Sequence, residues 1–136
     1  MRRANAIEHH VDDFEAEVRF FRDVLECPEN VYIPNTAGAY KIADNLTVLV
    51  LPRDQGHPPY TSLRGETIDI SVDLDEVEPL YEKLKAKGAV IRQPPITQPS
   101  GIRHFYFETP GGLTIEYEAP TTDDGAKLLN QVFGYG

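Results

Sequence analysis

The feature that most constrains this chain is an internal duplication. A strand-like run, a helix-like run and three more strand-like runs fill residues 4–52, and the same order returns over residues 66–120. Residues match as well as order. Ala6-Ile7-Glu8 aligns with Thr67-Ile68-Asp69, Asn45-Leu46-Thr47-Val48 with Gly112-Leu113-Thr114-Ile115, and Phe21 and Val24 with Tyr81 and Leu84. A period of about 60 residues exceeds that of solenoid repeats, which predicts one α+β domain made of two βαβββ modules.

Local patterns set the elements. In the first module residues 5–11 read as a strand with Ile7 and Val11 on one face, although His9 interrupts the alternation. Asp12 or Asp13 is placed to cap a helix, its carboxylate accepting from free backbone N–H groups. That helix runs to about residue 25, because Phe14, Val18, Phe21 and Leu25 form one apolar stripe opposite Arg19, Arg22 and Asp23. Strands follow at 31–33, 38–43 and 46–51. The second module opens with residues 67–72, where Ile68, Ile70 and Val72 alternate cleanly. Asp73 or Asp75 precedes a helix through residue 87 with Val77, Leu80, Tyr81 and Leu84 on its core face, and Gly88 suits its C-cap. Strands then start at 89, 102 and 113, the last two joined by Thr109-Pro110-Gly111-Gly112.

Two segments fall outside the repeat. The polar stretch 52–65 holds three prolines and two glycines, so residues 53–65 read as a linker between modules or a flap over a site, with His57 a loop residue. Residues 121–136 form a C-terminal segment, in which 127–133 read as a short helix with Leu128, Leu129, Val132 and Phe133 apolar. Such a surface has to dock somewhere, and contact with a second subunit is expected, making the protein a homodimer.

Charge and composition exclude several classes. The formal charge of −9 argues against nucleic acid, whose binding depends on basic contacts to phosphate. A polar or cationic small molecule is compatible with it. No apolar run approaches the roughly 20 residues of a membrane span, and no apolar signal core follows the basic Met1-Arg2-Arg3, so a cytoplasmic protein is expected. Cys27 is the single cysteine, which leaves no intrachain disulfide and no cysteine zinc site. No serine or cysteine stands in a recognisable nucleophile setting, and no catalytic residue is assigned.

Asp13 followed by Phe20-Phe21-Arg22-Asp23-Val24-Leu25, and the hairpin Glu108-Thr109-Pro110-Gly111-Gly112-Leu113-Thr114-Ile115-Glu116, resemble the vicinal oxygen chelate superfamily over residues 4–120. That superfamily includes glyoxalase I, the fosfomycin and bleomycin resistance proteins and the extradiol dioxygenases. The resemblance implies two modules whose mixed sheets curl into a cup with helices packed outside. It also implies metal ligands on the first and last strands of each module, at Ala6, Leu49, Thr67 and Glu116. Only Glu116 is a strong donor, and one carboxylate does not make a transition-metal site.

Strand parity offers other groups. If Ile7 and Val11 face the helix, Ala6, Glu8 and His10 face the opposite way, as do Thr67, Asp69 and Ser71 in the second module. Thr114, Glu116 and Glu118 share one parity on the last strand, with His104 and Tyr106 on the strand before. The candidate ligand-binding residues are therefore Glu8, His10, Asp69, His104, Tyr106 and Glu116. Carboxylates gathered in one cleft raise one another's pKa values and favour a cation or a shared proton.

Three functions follow. The first is a metal-independent small-molecule-binding protein resembling the bleomycin-resistance branch, with a polar or cationic organic ligand and no cofactor. The second is a glyoxalase-like lyase, isomerase or dioxygenase whose divalent metal sits at a shifted site, Glu116 with Glu8, His10 or Asp69. The third is a non-catalytic protein-interaction module.

Overall fold

The computed structural model describes residues 2–53 and 65–134. Most of the polar linker, including His57, lies outside the described residues. The chain divides into two compact units, Met1–Glu66 with Thr109–Leu113, and Thr67–Glu108 with Thr114–Gly136. No helix among the described residues is long and apolar enough to cross a membrane.

The first unit carries strand Ile7–Val11 (β1), helix Phe14–Arg19 (α1), and strands Glu29–Ile33 (β2), Ala37–Ala43 (β3) and Leu46–Pro52 (β4). The sheet order is β1-β4-β3-β2, with β1 parallel to β4 and the other pairs antiparallel. Asp13 caps α1, its carboxylate accepting from the Ala16 N–H at 3.1 Å. The helical stripe buries as its spacing requires: Phe14, Val18 and Phe21 are buried, and the Phe21 ring stacks on Tyr40 of β3 with centroids 5.5 Å apart. One feature was not legible in that spacing. From Phe20 to Val24 the helix widens to a π-helical turn, with the Leu25 N–H donating to the Phe20 carbonyl five residues back.

The second unit repeats the plan with strand Thr67–Ser71 (β5), a 3₁₀ turn Leu74–Glu76, helix Val77–Ala86 (α2), and strands Val90–Thr97 (β6), Ile102–Glu108 (β7) and Thr114–Pro120 (β8). Its order is β5-β8-β7-β6, again with only the first pair parallel. Asp73 and Glu76 form a reciprocal capping box that starts the helix. Gly88 takes φ +82° just past its end, as an αL C-cap demands. Pro94 and Pro95 fall within β6, which tolerates them because it is an edge strand with a register shift at Gln93/Ile96. The helix-side core of this sheet is Ile68, Ile70, Phe105, Phe107 and Ile115, all buried.

Helix Asp123–Phe133 (α3) starts earlier than its apolar residues indicate, because Thr122 accepts from the Gly125 N–H at 3.0 Å and acts as N-cap. It packs on β8 of its own unit. Gly125 is buried there, where a Cβ would lie 2.7 Å from the Gly101 carbonyl oxygen. Leu128, Val132 and Phe133 stay exposed.

Candidate functional site

Alternation along β5, β7 and β8 sends odd- and even-numbered residues to opposite faces, and the register then decides which ones meet. Asp69 of β5 pairs with Glu116 of β8, which pairs with Tyr106 of β7. The next row along is Ser71, Glu118 and His104. Six polar side chains thus share one face of the second sheet, while the apolar set faces α2.

The charges on this face are close, and all but the exposed Asp69 are withdrawn from water. Glu116 is 8% exposed, Glu118 5% and His104 4%. His104 donates from Nδ1 to Glu116 Oε2 at 2.9 Å, and its ring meets Tyr106 edge-on at 5.1 Å. One carboxylate oxygen from each of Asp69, Glu116 and Glu118 lies within 4.8 Å of the others. Burial, then the negative charges of Asp69 and Glu116, push the Glu118 carboxyl up to about 8. Asp69 is raised as well, by burial first and then by Glu116, while its hydrogen bond from Glu118 opposes the rise. Burial and mutual repulsion thus favour a proton held within the Asp69–Glu118 pair. Burial and the neighbouring Glu116 charge lift Tyr106 to about 12, which keeps its hydroxyl a donor. Two buried atoms, His104 Nε2 and Glu118 Oε1, have no hydrogen-bond partner among the described residues.

Of the six residues expected to bind ligand, four meet here: Asp69, His104, Tyr106 and Glu116. The other two, Glu8 and His10, pair with each other in the first unit, His10 Nε2 lying 3.6 Å from Glu8 Oε1. In register Glu8 adjoins Leu49 and His10 adjoins Leu51, so their strand neighbours bring no further charge. Glu118 is the member the candidate set omitted. Its signal was present, since it shares the parity of Glu116, but nothing local showed that it would be buried.

A second polar assembly was missed altogether. His9, on the helix side of β1, lies 2.5 Å from Glu17 Oε2, and both side chains are fully buried. Glu17 also accepts from the Thr109 hydroxyl and the Gly111 N–H, each at 2.6 Å. It therefore clasps the turn Thr109–Leu113 into the first unit. The available sign was a charged residue placed inside the stripe of Phe14, Val18 and Phe21.

The donor set at the places where the resemblance implies metal ligands does not fit one. Ala6 and Leu49 have no side-chain donor, Thr67 offers a hydroxyl, and Glu116 is committed to His104.

Known proteins supply the wider context. The model of the Glyoxalase/Bleomycin resistance protein/Dioxygenase superfamily matches residues 3–117. No sequence among curated proteins matches significantly. Among solved structures, a glyoxalase/bleomycin resistance protein/dioxygenase from Nocardioides is 22% identical with a TM-score of 0.68, over 90% of this chain and 87% of that one. A mutant of the fosfomycin resistance protein FosX from Listeria monocytogenes, complexed with Mn(II) and a dihydroxypropylphosphonic acid, is 20% identical with a TM-score of 0.68, over 95% of this chain and 98% of that one. A lactoylglutathione lyase from Agrobacterium tumefaciens is 17% identical with a TM-score of 0.67, over 87% and 95%. At these identities the likeness is one of fold.

Proposed function

Because the chain belongs to the glyoxalase/bleomycin resistance protein/dioxygenase superfamily, we propose that it is a small-molecule-binding protein of the bleomycin-resistance type. Its ligand is a polar or cationic organic molecule received on the acidic face of the second module. The observation that carries this reading is the convergence of Asp69, Glu116 and Glu118 on one face beside His104 and Tyr106. A cationic group there replaces charge repulsion with attraction, and the Tyr106 ring supplies an adjacent π-face. The reading does without a metal at the family's usual places, since Ala6 and Leu49 offer no donor. It includes a cytoplasmic homodimer, supported by the exposed Leu128, Val132 and Phe133 of α3.

A lyase or isomerase is the second reading, and one observation favours it. A carboxyl held at about 8, as Glu118 is, can give and take a proton near neutral pH.

Thermal melts against a panel of organic amines, bleomycin among them, test the first reading. A binder present at about 100 times its Kd stabilises the protein by about 2.7 kcal/mol. That shift is expected in the wild type and lost in Asp69→Asn and Glu116→Gln. An equal shift in both variants would place the ligand elsewhere and overturn the assignment.

A further inference from the structure

Helix α3 lies outside the repeated βαβββ plan, and it meets the second sheet closely at one end only. Near its start the Thr121 N–H and hydroxyl both donate to the Gly101 carbonyl, at 2.7 and 2.9 Å, and the buried Gly125 sits against that same carbonyl. Further along, Ala126, Leu129 and Asn130 share one helical face by their three- and four-residue spacing. They wall a groove of about 220 Å³ opposite Ser71 of β5 and Pro120 of β8. All five residues belong to the second unit. Strand parity fixes which side of the sheet this is. Ser71 shares the face of Asp69 on β5, and Pro120 that of Glu116 and Glu118 on β8, so the groove lies over the same face as the carboxylates.

Size and charge say what such a groove can hold. A protein cavity of about 150 Å³ takes up a benzene molecule, so 220 Å³ has room for one six-membered ring and part of a short chain. Sites for whole drug-sized ligands begin at about 300 Å³, so this groove holds one end of a molecule. Its lining has two polar side chains, Ser71 and Asn130, and no charged one. The charge lies next door. Ser71 stands opposite Glu118 in the register and two residues from Asp69, about 6.5 Å along a strand. Asp69 is exposed while Glu116 and Glu118 are buried, so Asp69 is the carboxylate that an arriving charge reaches first.

We propose that the groove beneath α3 is a subsite for the apolar end of the ligand, which makes the class bound an aryl- or alkyl-substituted amine. The ammonium sits at Asp69, and the ring or short chain lies between α3 and the floor made by Ser71 and Pro120. The proposal rests on the acidic face receiving the cation, and it adds where the rest of the molecule goes. Charge complementarity commits the groove to this occupant. An apolar group enters an uncharged lining while its cationic end stays one strand step away at a carboxylate. An amphiphile of the opposite sign would bring its charge against Asp69, Glu116 and Glu118 and is rejected. A small amine with no apolar end leaves the groove unfilled and gains nothing from it.

The test titrates ¹⁵N-labelled full-length protein with butylamine, 4-phenylbutylamine and the neutral 4-phenylbutanol, and follows amide chemical shifts. Burying the ring should make 4-phenylbutylamine bind about 10- to 100-fold more tightly than butylamine. Its shifts should reach Ser71, Ala126, Leu129 and Asn130, whereas those of butylamine stay around Asp69. Ala126→Leu fills the groove and brings 4-phenylbutylamine down to the affinity of butylamine. Leu129→Ala removes a wall without adding bulk and lowers it by part of that factor, while Lys127→Ala, on the exposed side of α3, changes neither. The same spectra establish that each variant is folded. Equal affinity for the two amines, with both lost in Asp69→Asn, overturns the subsite and leaves the proposed function standing. Binding of the alcohol as tight as that of its amine, unchanged in Asp69→Asn, overturns the assignment to an amine and the acidic-face reading with it. Silence toward all three overturns the subsite, while stabilisation of the same sample by another amine of the panel keeps the acidic-face reading.

Discussion

The two modules share a topology and a strand register, yet their main clusters of buried charge lie on opposite sides of the sheet. In the first, Glu8, Leu49 and Ala39 form the row that corresponds to Asp69, Glu116 and Tyr106 in the second. Leu51 likewise stands where the second module has Glu118. The helix side is reversed. There the first module buries His9 against Glu17, while the equivalent places in the second, Ile70 and Val77, are buried and apolar. Duplication kept the backbone plan, and each copy then spent its buried charge differently: the first on clasping a turn, the second on an acidic face. A fold of this kind tolerates charge on either side provided each buried group finds a partner.

The largest expected effect tests the clasp. Glu17→Ala removes the acceptor for His9, the Thr109 hydroxyl and the Gly111 N–H at once, the first two of them buried. Breaking a buried pair this way costs about 3–5 kcal/mol, and urea denaturation would show it as a large fall in midpoint. The comparison can be broken directly by giving the first module the second module's solution, His9→Ile with Glu17→Val. Its cost should be smaller than the sum of the two single changes, because removing one partner strands the other. Additive costs would mean that His9 and Glu17 do not act as a pair.

Next in size is the pH dependence that the second module's face imposes. An ordinary glutamate titrates near 4.5 when unfolded, whereas folded Glu118 holds its proton up to about 8. Between those values the folded state carries the extra proton, so stability falls as pH rises through the window. The groups facing Glu118 are Asp69 from β5, Glu116 on its own strand and His104 and Tyr106 from β7. Melts with chelator present, run from pH 5 to pH 9, should decline for the wild type and flatten for Glu118→Gln. An unchanged slope in that variant would assign the dependence to other carboxylates.

Much of this was legible in the sequence because it rests on period. The repeat, both helical stripes, the Asp13 cap, the Gly88 C-cap and the Thr109–Gly112 turn are local patterns with local causes. Parity also showed that Asp69, Glu116 and Glu118 share a face. What it could not show was burial, which depends on what the chain stacks over each residue. That is why Glu118 was left out of the candidate set and why Glu17 went unmarked: its partners Thr109 and Gly111 lie more than 90 residues away along the chain. The π-helical turn at Phe20–Val24 escaped for a related reason, since a 4-3-4 spacing is satisfied by the first helical turns whether or not the last one widens.

The next effect concerns α3, an element that only the second module carries. Gly125→Ala puts a methyl group against the Gly101 carbonyl, a backbone atom that cannot swing aside. Overpacking of that sort costs about 1–3 kcal/mol, and hydrogen exchange should show α3 loosening before the sheet does. Protection lost evenly through both modules would mean that α3 is part of one cooperative unit with them.

The smallest expected effect separates two roles for the outer side of that helix. Val132 is 64% exposed, so Val132→Ser should change the stability of a lone chain by no more than about 0.5 kcal/mol. Leu128 and Phe133 are exposed beside it on the same short helix. If a second copy covers this surface, the same change weakens assembly while the fold is untouched. The two quantities can be read apart: urea denaturation at low protein concentration reports the chain, and sedimentation velocity across a concentration series reports the pairing. An unchanged midpoint with a shift toward the monomer assigns Val132 to a contact between copies. An unchanged midpoint with unchanged sedimentation leaves α3 a cap on β8, held by Gly125 against Gly101, and removes its outer side from the argument for a homodimer.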